Sequence, residues 1–183
     1  MTMSLCTGHS FLAAIIVTAM VSGSVKAADD PCSAFSWNVT HEHALFAMAP
    51  EPAVAGRSVS EAPLLALDRL YELQLSSQGA IAYALLPEKK AVVADDYGGL
   101  ARLKIDKPGT YRVSLDRGAW VDVVANGMLI QAVDFQGRSG CQAPHKIVQY
   151  VLPVGQDLVL QLSGVREGRV RIAITRPEER PKG

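Results

Sequence analysis

Aromatic rings, cysteines and net charge are all in short supply in this sequence, and each shortage excludes something. Trp, Tyr and Phe number 2, 5 and 4, and Cys numbers 3. Basic and acidic residues balance at 18 each, so the chain lacks the basic excess that nucleic acid or an anionic membrane demands. No apolar run reaches the roughly 20 residues that cross a bilayer, and no membrane span is expected. A Gly-x-Ser-x-Gly motif is missing and the serines fall in turns or on polar faces, so no catalytic residue is assigned. Asp95-Asp96, followed by Tyr97-Gly98-Gly99, lacks the alternating oxygen ligands of an EF-hand and reads as a solvated turn.

What is present begins with Phe11 to Val21, an uninterrupted apolar run followed by the small and polar residues Ser22 to Ala27. Its length matches the apolar segment of an export signal, although Met1 to Ser10 contains no Lys or Arg. Val25-Lys26-Ala27 puts small residues at the two positions a signal peptidase reads, which places cleavage after Ala27. Cys6 precedes the run and Cys32 follows Asp30-Pro31, so neither is placed to carry a lipid anchor. Removal of residues 1–27 leaves 156 residues with 17 basic and 18 acidic side chains, enough for one domain with its own core. The expected organisation is a signal peptide at 1–27, one domain at 28–176 and a charged, proline-bearing disordered tail at 177–183, in a protein of the periplasm or secreted medium.

Two cysteines remain after export, Cys32 and Cys141. In an oxidising compartment a disulfide between them is expected ahead of free or metal-bound thiols. Closing so long a loop stabilises the fold by about 4–5 kcal/mol in the chain-entropy description, a figure that native strain reduces.

Period-two alternation marks Tyr71 to Leu75, Ala101 to Ile105, Tyr111 to Leu115 and Val170 to Ile174 as half-buried strands. Further strands are expected at 35–40, 43–48, 80–86, 91–94, 120–124, 128–135, 147–152 and 158–162. Turn chemistry separates them, with Asn126-Gly127 the strongest hairpin signal. Residues 51–67 read as a loop, because Pro63 limits any helix after Ser60 to its first turn. Short strands without a long 3.6-residue period indicate an all-β, antiparallel sandwich or jelly roll.

The block from Leu70 to Ile174 carries Gly109-Thr110-Tyr111-Arg112-Val113-Ser114-Leu115 and then Val154 to Leu162. It resembles the pre-peptidase C-terminal jelly roll of bacterial secreted proteins, in which a Gly-x-Tyr-x-Val strand recurs. That resemblance implies a non-catalytic domain accompanying a secreted enzyme, although no enzyme is attached here. Cys32 to Glu42 is similar to the opening of small exported proteins of alphaproteobacteria, some of which carry the label homogentisate 1,2-dioxygenase. The true dioxygenase is a much longer cupin that binds iron through two histidines and a glutamate. Here His41, Glu42 and His43 are present without a glutamate at cupin spacing.

On a strand, His41 and His43 would project to one face, a spacing that suits Zn, Cu or Fe, with His145 as third ligand and Met48 as a soft addition for Cu. The competing reading makes the first two a solvated pair near a turn and His145 a strand cap beside the disulfide. Aromatic residues offer a different site, since Trp37, Tyr97, Trp120, Phe135 and Tyr150 could form a stacking platform on one face. Of these, Tyr97, in a Gly-rich turn, and Trp37 are the expected ligand-binding residues, Trp120 and Tyr150 being core by default. The reading is a non-catalytic binding or accessory module without a cofactor, recognising an envelope protein or a small neutral ligand. A metal-binding or non-haem dioxygenase-like protein is the alternative. N-terminal sequencing of the exported protein is expected to begin at Ala28, and a chain retaining Met1 would overturn the signal assignment.

Overall fold

The computed structural model describes residues 30–87 and 95–177. The expected signal at 1–27, the strand at 91–94 and the tail beyond residue 177 lie outside the described residues.

Among the described residues twelve strands form two sheets. The first runs β1 (Glu51–Val54), β3 (Leu70–Gln74), β12 (Arg169–Thr175), β6 (Gly109–Leu115), β10 (Lys146–Leu152) and β9 (Ala132–Gly137). The second runs β2 (Leu64–Leu65), β5 (Tyr97–Leu103), β11 (Leu158–Val165), β7 (Trp120–Ala125) and β8 (Met128–Ile130), with β4 (Ser76–Ser77) paired to β5. Neighbours are antiparallel except β1 with β3 and β2 with β5. The all-β sandwich read from the alternation is therefore the observed architecture, with one parallel pair at an edge of each sheet. Asn126 and Gly127 both adopt positive φ, 51° and 73°, as a tight hairpin turn between β7 and β8 requires.

The inner faces meet in one apolar cluster. Tyr111, Val113 and Leu115 from β6 and Val170, Ile172 and Ile174 from β12 join Leu158, Leu160 and Leu162 from β11. Alternation accounts for these positions but not for their neighbours. All of Tyr111 to Leu115 and all of Leu158 to Ser163 are buried, so the polar side chains between them are covered from outside.

Over the first sheet the cover is the segment from Pro31 to Ala47. Cys32 and Cys141 stand at disulfide distance, with Cα atoms 5.0 Å apart, and pin its start. Ser36 donates its N–H to Gln136 on β9, and the Trp37 ring lies 4.8 Å from the Arg112 guanidinium on β6. Helix α1 (Thr40–Phe46) then packs Leu45 and Phe46 against Leu70 and Ala173. Strands expected at 35–40 and 43–48 are thus replaced by an irregular run and a helix. Glu42, Leu45 and Phe46 have helical spacing and face the sheet together, while Asn38 accepts the Thr40 N–H at 3.1 Å.

Over the second sheet the cover is the segment from Gln78 to Leu85, where a strand was expected at 80–86. It joins no ladder: Gln78 and Ala82 donate their N–H groups to the Asp96 and Arg57 carbonyls at 2.9 and 2.7 Å, and a side chain serves Leu85. The Gln161 amide accepts from the Leu85 N–H and donates to the Leu85 carbonyl, both at 3.1 Å, and Gln78 accepts from Gly164 N–H at 2.7 Å. Ile81, Tyr83 and Leu85 rest on Leu100, Val124 and Val159.

Two other expectations change. Residues 51–67 are not a featureless loop but contain β1, a 3₁₀ turn at Val59–Glu61 and β2, because β3 and β5 offer parallel edges on which so short a run can pair. Gly98-Gly99 lies inside β5, not in a turn. A Cβ at Gly98 would collide with the Tyr83 hydroxyl and one at Gly99 would sit 2.5 Å from the Ala55 Cβ, so both glycines serve close packing.

Buried charge is paired. The Glu42 carboxylate, 2% exposed, accepts from Arg112 at 3.2 Å and from the Thr175 hydroxyl at 2.8 Å. Burial by itself would raise the Asp116 carboxyl, but hydrogen bonds from Arg117 and from the backbone and guanidinium of Arg171 outweigh it and hold the group below its ordinary value. Glu42→Ala leaves the Arg112 guanidinium uncompensated and is expected to cost about 3–5 kcal/mol, read from denaturant midpoints. A depressed carboxylate favours folding above its unfolded value of 3.8 and loses that contribution as pH falls through its folded value. Asp116→Asn is therefore expected to flatten the acid limb of the stability profile.

Candidate functional site

The β7–β8 hairpin pairs Val123, Val124 and Ala125 with Ile130, Leu129 and Met128. Beyond Ile130 the chain leaves that sheet, passes through exposed Gln131 and enters β9 of the other sheet. Trp120, Val121 and Asp122 consequently have no β8 residue beside them, and a pocket of about 230 Å³ opens there between the sheets. Val121, Val148 and Tyr150 line it with the edge side chains Trp120, Leu129, Ile130 and Phe135.

Polar atoms are few and tied in place. The Tyr150 hydroxyl donates to the Val121 carbonyl at 2.8 Å, below the apolar surface. Trp120 Nε1 donates to Asp122 at 2.8 Å, which fixes the indole. Lys146 Nζ donates to the Ala119 carbonyl at 2.7 Å and lies 5.6 Å from the Trp120 ring centre and 6.0 Å from that of Phe135. One ammonium thus stands over two ring faces, an attraction of about 0.5–1 kcal/mol at exposed sites. Phe135 is 66% exposed, an unusual position for a large ring. No protein-family model matches the chain, and comparison with curated proteins finds no significant match.

Asp122 also reaches the cover over its sheet. Burial pushes the Tyr83 phenol up to about 12, and the Asp122 carboxylate adds to the shift. The Tyr83 hydroxyl donates to the Leu162 carbonyl at 3.1 Å.

The residues expected to bind a metal are not gathered. Because α1 replaces the strand, His41 and His43 are two helical positions apart, about 200° around the axis, and cannot share a face. His41 Nε2 pairs with Asp68 at 2.8 Å with both side chains about half exposed, a contact of small energetic weight. His43 Nδ1 meets the Ala143 carbonyl at 2.5 Å, and His145 Nδ1 meets the Cys141 carbonyl at 3.2 Å. Met48 is exposed. Among the described residues no three His, Cys, Asp or Glu side chains are grouped to hold a metal ion.

Nor do the expected ligand-binding aromatics meet. Trp37 is stacked on Arg112 across the outer face of the first sheet. Tyr97 begins β5, half-buried, with its ring over Gly168. Phe135, Trp120 and Tyr150 do come together. Lys146, Leu129, Ile130 and Asp122 were not singled out by the sequence. The usable signal is Gln131, a polar residue directly after the apolar Met128-Leu129-Ile130, within a stretch that reads as one strand over 128–135 and forms two strands in different sheets.

A phenol with a raised folded value favours folding fully below pH 10, the unfolded value. That contribution is lost as pH rises from 10 towards about 12, because the unfolded chain ionises first. Tyr83→Phe is expected to reduce the loss of stability across this interval, measured by thermal melts at stepped pH.

Proposed function

We propose that this protein is an exported, non-catalytic binding module whose pocket takes a small, neutral, ring-bearing ligand. The observation that carries the reading is the pocket at the β8–β9 crossing, where Trp120, Phe135 and Tyr150 surround an apolar space and Lys146 supplies the nearby cation. A cavity of about 150 Å³ lined by aliphatic and aromatic side chains is enough for benzene. At about 230 Å³ the space suits one substituted ring. Hydrogen bonds hold Trp120 and Tyr150 before a ligand arrives, which limits the ordering cost of binding. The cysteine pair at disulfide distance and the signal-like N-terminus support action in the periplasm or outside the cell. The likeness of residues 70–174 to a domain that accompanies secreted enzymes supports an accessory role.

Trp37→Phe leaves Trp120 as the single tryptophan reporter. In that background, titration with p-cresol or indole is expected to give a saturable fluorescence change that Phe135→Ala or Lys146→Met weakens about tenfold, equivalent to ~1.4 kcal/mol. A linear response up to the solubility limit, or saturation indifferent to both substitutions, would sink the reading.

A further inference from the structure

Two side chains belong at once to the pocket and to the surroundings of the cover over the second sheet. Leu129 lines the pocket and also packs into the cluster in which Ile81, Tyr83 and Leu85 rest on that sheet. Asp122 lines the pocket, accepts the Trp120 indole N–H at 2.8 Å, and acts on the Tyr83 phenol. A third link runs across the strands. Asp122 stands opposite Gln161 in the β7–β11 ladder, and the Gln161 amide holds both backbone groups of Leu85, each at 3.1 Å.

The cover is held more loosely than the strands beneath it. Leu100, Val124 and Val159 are at most 7% exposed, whereas Ile81, Tyr83 and Leu85 are half-buried and Gly79, Ala80 and Ala82 exposed. Its regular structure is a single 3₁₀ turn at Gln78–Ala80. Such a segment opens locally at less cost than the sheet that carries it. While it is closed, Asp122 is 5% exposed, so the bond that fixes the Trp120 indole forms in a dry setting and Leu129 is backed by apolar side chains. Opening lets water compete for the carboxylate and removes that backing.

We infer that Gln78–Leu85 is a latch coupled to the pocket: closed, it holds Trp120 and Leu129 in the binding geometry, and a ligand resting on those two side chains holds it closed. The inference rests on reading the pocket as a ligand site. Coupling of this kind is reciprocal, so the factor by which a ligand favours closure is the factor by which closure raises affinity. The cover over the first sheet packs on Leu70 and Ala173, neither of which lines the pocket, and serves as the internal control.

Amide hydrogen exchange of the native chain, read residue by residue by NMR with and without saturating indole, tests the latch. The N–H groups of Ala82, Leu85 and Gly164 are bonded to Arg57, Gln161 and Gln78. They are expected to exchange about fivefold more slowly with indole, the lower end of a usual coupling range of roughly 5–150-fold. His43 and Ala47 in the other cover are expected to keep their rates. Gln161→Ala removes both Leu85 bonds at a position outside the pocket lining, and is expected to weaken indole binding about fivefold. With no ligand present, Trp120→Phe keeps a ring but lacks the N–H given to Asp122, and is expected to speed exchange at Ala82 and Leu85. Indole that saturates Trp120 while leaving the Ala82 and Leu85 rates unchanged, or while slowing both covers alike, overturns the latch and leaves the pocket. So does a Gln161→Ala protein, folded by circular dichroism, that binds indole as tightly as the native chain. If indole and p-cresol never saturate, the pocket reading fails; the latch then stands on the Trp120→Phe acceleration and falls without it.

Discussion

Both sheets are buried on both faces along their central strands, and that double burial is the constraint on which the rest of the structure rests. A sandwich needs one apolar face per sheet. Here β6 and β11 also bury the side chains that alternate outward, so each sheet requires an outer cover. The chain supplies the two covers from segments with little regular structure, Pro31 to Ala47 over one sheet and Gln78 to Leu85 over the other. Neither is self-sufficient, since the seven residues of α1 are below the length at which a helix is stable in water and Gln78 to Leu85 contains only a 3₁₀ turn. They are held by burial and by side chains that replace the missing ladder.

The covers also explain where the polar residues of the strands go. Arg112 and Thr175 would be solvated on an open sheet. Under α1 they meet Glu42, and the three satisfy one another in a dry setting. Gln161 would likewise face water, and instead closes a two-way contact with Leu85. An unpaired polar group in either place costs about 1–3 kcal/mol, so Arg112, Thr175 and Gln161 are matched to the covers above them, whereas the buried Ser114 hydroxyl has no partner among the described residues. The Cys32–Cys141 link ties one cover to the loop before β10, limiting the freedom of a segment whose own packing is modest.

The pocket arises from the same economy of chain. By crossing between sheets at Gln131, the polypeptide ends β8 early and leaves Trp120 to Asp122 without a neighbour. The gap is lined by side chains that would otherwise be ordinary edge residues.

Composition and local pattern by themselves determined the all-β class, the cysteine pair, the β7–β8 turn and the course of most central strands. These depend on period two, on residues that tolerate positive φ and on cysteine count, all readable within a few neighbouring positions. Residues 40–46 and 78–85 were beyond that reach. Their conformation is chosen by sheet faces that come from distant parts of the chain, and Glu42 has its meaning only beside Arg112 and Thr175. The pocket was beyond it too. Trp120, Phe135, Lys146 and Tyr150 lie on three strands in two sheets, and their meeting follows from where the chain changes sheets, which only the tertiary structure decided.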